Sequence, residues 1–152
     1  MRLFASVWFV VFFLTGCDSG STINKSTQKY AGTDAERISD PVMIKEGGEV
    51  YRRYCAQCHG KHGEGDPNWR KRNADDSFPP PPLNGSGHAW HHSKAWLKEK
   101  IKTGKPLRNM PAWGGKLSDR EIEAVIAWFQ AQWSDPVYEA WRNNQLRAVQ
   151  SR

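Results

Sequence analysis

The chain has 152 residues, room for one domain with extensions. Only 38% of it is hydrophobic, and its formal charge of +6 is dispersed without a nucleic-acid-binding motif. That pattern excludes nucleic acid as a partner and favours acidic proteins or an anionic membrane surface.

Residues 1–16 read as a targeting segment. Arg2 supplies a positive start, and Leu3 to Leu14 is an apolar run of about a dozen residues, short for a membrane span and right for a signal sequence. The run ends in Leu14-Thr15-Gly16-Cys17, which resembles the lipobox of bacterial lipoproteins. The resemblance implies cleavage before Cys17, lipid attachment to its sulfur, and, with Asp18 next, retention on the outer face of the inner membrane. The plainer alternative is an ordinary signal peptide with an incidental cysteine. Residues 17–40 have the polar composition of a linker, with an r.m.s. reach of about 25–30 Å if flexible. Such a tether would keep a carrier close to membrane-bound partners.

Asp40-Pro41 predicts a helix start, with Asp as N-cap and Pro in the first position. Ile44, Gly47, Tyr51 and Tyr54 recur at helical spacing and carry the helix to Cys55-Ala56-Gln57-Cys58-His59. Two cysteines separated by two residues, with histidine directly after, form the attachment signature of c-type haem. Each thiol can form a thioether with a haem vinyl group, and His59 then faces the iron. A dithiol redox pair would need a strand–helix context, and a zinc site would need further ligands; the domain has no other cysteine. The stretch from Gly47 to Gly60 resembles the opening of class I c-type cytochromes. In that family a glycine lets the last helix cross the first closely; Gly47 is the candidate here, with Gly48 the alternative.

Glycines and Asp66-Pro67 predict loop over much of 60–87. Phe78-Pro79-Pro80-Pro81-Pro82-Leu83-Asn84-Gly85 is extended or polyproline-like. It resembles the family's Pro-x-Leu-x-Gly segment, which implies that the Pro81 carbonyl holds the far nitrogen of His59. A rigid surface spacer is the structural alternative. His88, His91 and His92 crowd five residues and could bind copper or zinc, or simply lie at the surface or the haem edge. Ser93 predicts a helix cap over Lys94–Thr103, closed by Gly104. The following Met110-Pro111-Ala112-Trp113 resembles the segment that carries the sixth iron ligand in many bacterial monohaem cytochromes. Met110 is the only methionine downstream of the haem motif, and His62, His88, His91 and His92 are the other candidate ligands.

Ser118 and Glu121 form a capping box between Leu117 and Ile122, which read as a hydrophobic staple. Ile122, Val125, Ile126, Phe129 and Trp133 make an apolar stripe with Trp128 at its edge. By resemblance Trp128 meets the glycine of the first helix. Ser134-Asp135-Pro136 ends the stripe. The tail 135–152 carries Tyr138, Trp141, Leu146 and Val149 among polar residues, the pattern of a short amphipathic helix packed on the domain or on a partner.

The resemblance to class I cytochromes covers residues 41–134. It implies a small all-α domain around one covalently bound haem c, with Cys55 and Cys58 as thioethers and His59 and Met110 as iron ligands. The implied activity is extracytoplasmic electron transfer, not catalysis, to redox partners with acidic docking surfaces. Arg52, Arg53, Lys61, Lys105, Arg108 and Lys116 flank the haem-contacting segments and could form the matching basic rim. Trp69, Arg70 and Trp113 are candidates for the haem carboxylates. Other readings are a haem subunit of a larger membrane oxidoreductase, a haem enzyme or gas sensor with an open sixth position, and a copper-handling protein using His88–His92.

Overall fold

A computed structural model describes residues 37–105 and 109–150. The predicted signal segment, Cys17, most of the predicted linker and Arg108 lie outside the described residues.

The helices are α1 (Pro41–Tyr54), the single turn α2 (Ala56–His59), a 3-10 turn (Ala89–His91), α3 (Lys94–Thr103), α4 (Asp119–Ala131) and α5 (Asp135–Gln150). Among the described residues there is no strand, and the one isolated pairing joins Lys105 to Met110. None of the described helices is long and apolar enough to cross a membrane. The domain is all-α, as the sequence predicts.

Side chains set the helix starts. The Asp40 carboxylate accepts from the Val42 amide, the Ser93 hydroxyl from Trp96, and Ser118 and Glu121 close a reciprocal capping box. Each relieves an amide that a helix N-terminus leaves without a partner. α1 runs into Cys55, its C-cap, which sits at φ −116° with its amide still on the Tyr51 carbonyl, and a new turn carries Ala56 to His59.

The core is the crossing of α1 and α4. An added Cβ on Gly47 would lie 1.9 Å from the Ala124 carbonyl oxygen, and one on Gly48 would lie 2.8 Å from the Trp128 indole nitrogen. Two glycines therefore serve the crossing, one against backbone and one against the indole. Tyr51 stacks on Trp128 with ring centroids 4.0 Å apart. Ile122, Val125, Ile126 and Phe129 are buried as the stripe predicts, and Ala124 and Ala127 are buried too because the close approach needs small residues. Arg120 pairs with Glu46 across the crossing at 2.9 Å, while Lys98–Glu123 and Lys102–Asp119 tie α3 to α4.

α4 ends at Ala131, and Trp133 stays buried in the turn that follows, its indole donating to the Leu83 carbonyl at 2.8 Å. Asp135-Pro136 then starts α5, since proline is tolerated in a first turn. Of the two readings of the tail, α5 packs on its own domain: Tyr138 and Trp141 are core residues. The end of the predicted linker is also folded. Arg37 pairs with Asp135 at 3.0 Å and sits over the Tyr138 ring at 4.0 Å.

Candidate functional site

A cavity of about 640 Å³ opens between α1, α3, α4 and the two long loops. That volume is in the usual range for a bound small molecule. Tyr51, Leu97, Ile101, Val125 and Phe129 form its apolar floor, and Phe78 and Pro79–Leu83 one side. Cys55, Cys58, His59 and Met110 all line this same cavity.

The loop after α2 is stitched to the proline run. Gly65 donates to the His59 carbonyl at 2.8 Å, Asp66 to Pro80 at 2.9 Å and Leu83 to Gly63 at 2.7 Å. This register brings the Pro81 carbonyl to 2.9 Å from His59 Nδ1. A carbonyl only accepts, so Nδ1 carries the proton and Nε2 keeps its lone pair. Burial pushes the His59 pKa down and the Pro81 bond opposes it, so the ring is neutral near pH 7. A neutral imidazole with a committed Nδ1–H is the form that binds metal. Tyr51, wholly buried, donates its hydroxyl to the Gly60 carbonyl at 2.7 Å and fixes the turn from the other side.

Cys55 and Cys58 are unpaired. Burial first, then Cys58, pushes the Cys55 thiol up to about 11. A buried thiol held protonated is a poor nucleophile, so Cys55 does not suit the attacking position of a dithiol redox pair.

Met110 comes from the opposite loop. Gly104, at φ +69°, turns the chain out of α3; a Cβ there would lie 2.6 Å from the Met110 carbonyl oxygen. Lys105 and Met110 exchange backbone bonds of 2.8 and 3.3 Å, and Trp113 returns to the Ile101 carbonyl at 3.0 Å. The described residues of the loop are thus pinned on both sides of Met110.

Trp69, Arg70 and Trp113 line the cavity, as does Trp96, which the sequence puts with Leu97 and Ile101 on the buried side of α3; Asn73, Lys100 and Asn109 line it too, and sequence reasoning did not single them out. A signal existed for Lys100: with Trp96, Leu97 and Ile101 it shares one face of α3. His88, His91 and His92 do not converge on a metal. His88 stacks on Trp69, His91 on Trp90 and His92 on Trp96, and no group of three metal-ligating side chains forms among the described residues. Of the proposed basic rim, Lys105 lines the cavity over Trp96, and Arg53 and Lys116 lie over Tyr54 at its edge. Arg52 and Lys61 are exposed.

An apolar slot with a CxxCH turn, an oriented imidazole and a thioether sulfur on its walls fits a covalent haem. Residues 42–129 match the family model described as cytochrome c oxidase, cbb3-type, subunit III. The chain belongs to that family. The family's cytochrome c domain implies covalently bound haem c and electron transfer. A curated relative, the cbb3-type cytochrome c oxidase subunit FixP of Azorhizobium caulinodans, is 30% identical over 91 residues. Those residues are 59% of this chain and 27% of the relative, so the chain spans only about a quarter of that protein. No solved structure matches.

Proposed function

We propose that the chain is a monohaem electron carrier held outside the cytoplasm by a lipid on Cys17. Cys55 and Cys58 would hold the haem as thioethers, and His59 Nε2 and Met110 Sδ would be the ligands to its iron. The observation that carries this reading is the convergence of those four side chains on one cavity, with His59 Nδ1 already committed to Pro81.

When bound, the haem supplies one-electron redox chemistry. The chain's own residues do the rest. The Pro81 carbonyl keeps His59 in the tautomer that leaves Nε2 open, and the apolar floor excludes water from the iron's surroundings. A soft thioether from Met110 raises the potential relative to a second histidine. Arg53, Lys105 and Lys116 around the opening suit an acidic redox protein meeting the chain in a fast, salt-sensitive encounter.

The test is a spectroelectrochemical titration of the purified chain beside Met110→Ala. Expected are one haem per chain by mass, a sulfur-to-iron absorption band in the oxidised protein, and loss of that band with a lower potential in the variant. An unchanged spectrum and potential in the variant would remove the ligand assignment. Acyl chains on Cys17 in the membrane fraction support the anchor; a soluble, unmodified protein sinks it.

The FixP likeness favours a second reading, in which the chain works as a haem subunit of a larger membrane oxidoreductase. Stoichiometric co-purification with such a complex from solubilised membranes would select it; a chain that elutes alone and exchanges electrons with soluble partners selects the free carrier.

A further inference from the structure

α5 lies beyond residues 42–129, the stretch shared with the family, yet it reaches the cavity through a single carbonyl. Trp141 is wholly buried against Trp133 and Tyr138, at centroid distances of 6.2 and 5.3 Å. Its indole N–H donates to the His92 backbone oxygen at 2.9 Å. Gln145, 8% exposed, donates from Nε2 to the same oxygen at 3.4 Å and accepts from the Lys94 amide with Oε1 at 3.3 Å. Two side chains of α5 thus place all three of these bonds on His92, just before α3, and on Lys94, its first residue. Had α5 only to cover apolar surface, phenylalanine and leucine would serve as well. Two donors on one carbonyl add a directional restraint, because buried polar groups hold the position of their partners.

That carbonyl belongs to a residue of the cavity wall. The His92 ring stacks on Trp96 at 3.7 Å and meets His88 edge-on at 5.4 Å; His88 in turn stacks on Trp69 at 5.1 Å. All of these rings line the cavity. A shift of the His92 backbone therefore moves a continuous row of aromatic rings.

We propose that α5 positions the aromatic wall of the haem cavity, with Trp141 and Gln145 as positioning residues that act through His92. The proposal rests on the reading that this cavity holds the haem. It makes the C-terminal helix a part of the redox centre's surroundings rather than an appendage to the domain.

The experiment uses the full-length holoprotein. Trp141→Phe keeps an aromatic ring in the core and removes the N–H. The expected result is a changed Soret circular dichroism band together with a shifted midpoint potential. Gln145→Leu should move both in the same direction by less. Both variants made in a His92→Ala background should add little further change, since the ring they position is gone. Trp141→Phe and Gln145→Leu proteins that melt earlier but keep the wild-type Soret dichroism and potential overturn the proposal, and α5 is then a cover only. If Trp141→Phe does not fold, Gln145→Leu decides by the same readouts. A wild-type chain without covalent haem by mass spectrometry overturns the functional reading and this proposal together, whereas unmoved spectra in loaded variants overturn this proposal alone.

Discussion

The two walls that would face the haem are built by different means. The His59 wall is over-determined by backbone: its turn is bonded to α1 through Tyr51, closed on itself by Gly65 on the His59 carbonyl, tied to the proline run and Leu83 through Asp66 and Gly63, and to Pro81 through the imidazole. The Met110 wall is a loop pinned at its ends, by the Lys105–Met110 pair and by Trp113 on Ile101. The first wall is continuous with the helix crossing that folds the domain, and the second is hung on α3. Damage to the first should therefore cost the fold, and damage to the second should cost the redox properties while the fold survives.

The largest effect should come from the crossing. In Gly47→Ala the new Cβ meets the Ala124 carbonyl at 1.9 Å, and backbone cannot turn aside as a side chain does. We expect a loss of about 3 kcal/mol or failure to fold, read as melting temperature and as yield of haem-loaded protein. A wild-type melting temperature would show that α1 and α4 have more freedom than their contact allows. Gly48→Ala should be milder, because its obstacle is the edge of the Trp128 ring.

Next comes Met110→Ala on the other wall. Far-ultraviolet dichroism should stay native while the sulfur-to-iron band disappears and the potential falls. Unfolding of this variant would erase the contrast between the walls. A smaller effect on the His59 side is expected from Tyr51→Phe, which removes a buried hydroxyl and leaves the Gly60 carbonyl with only the longer bond from the Gly63 amide, at 3.3 Å. About 1–2 kcal/mol of stability should be lost, measured by denaturant titration, with the band from Met110 unchanged.

Local chemistry was legible in the sequence and convergence was not. Asp40, Ser93 and the Ser118/Glu121 box start helices where short polar side chains reach the orphan amides, an interaction spanning three residues. Gly47 and Trp128 could be paired only through the family resemblance, and the additional use of Gly48 needed the crossing geometry. The ring row from Trp69 to Trp96 joins residues from separate segments, so no spacing rule reveals it. The packing of Trp141 was open in sequence for the same reason: an amphipathic tail looks alike whether it covers its own domain or a partner.

The smallest effect concerns pH, and it also separates the walls, since His92 stands on the side of α3. Burial first, then His88, Lys105 and His91, lowers the His92 pKa below its ordinary value. Between the folded and the unfolded pKa the unfolded chain binds more protons, so stability rises with pH through that window. The contribution is a penalty that is absent above the unfolded value, near pH 6.5, and grows as the pH falls below it. Among the described residues, Lys105 and the neighbouring histidines all act in the same sense as burial. His92→Asn should therefore flatten the slope of melting temperature against pH just below the ordinary histidine value, near 6.5, while leaving it unchanged at pH 8. The same measurement on Tyr51→Phe should keep the wild-type slope with a lower melting temperature throughout. An unchanged slope in His92→Asn would mean that the His92 ring exchanges its proton as it does in the unfolded chain, and that the row it belongs to is looser than its stacking on Trp96 indicates.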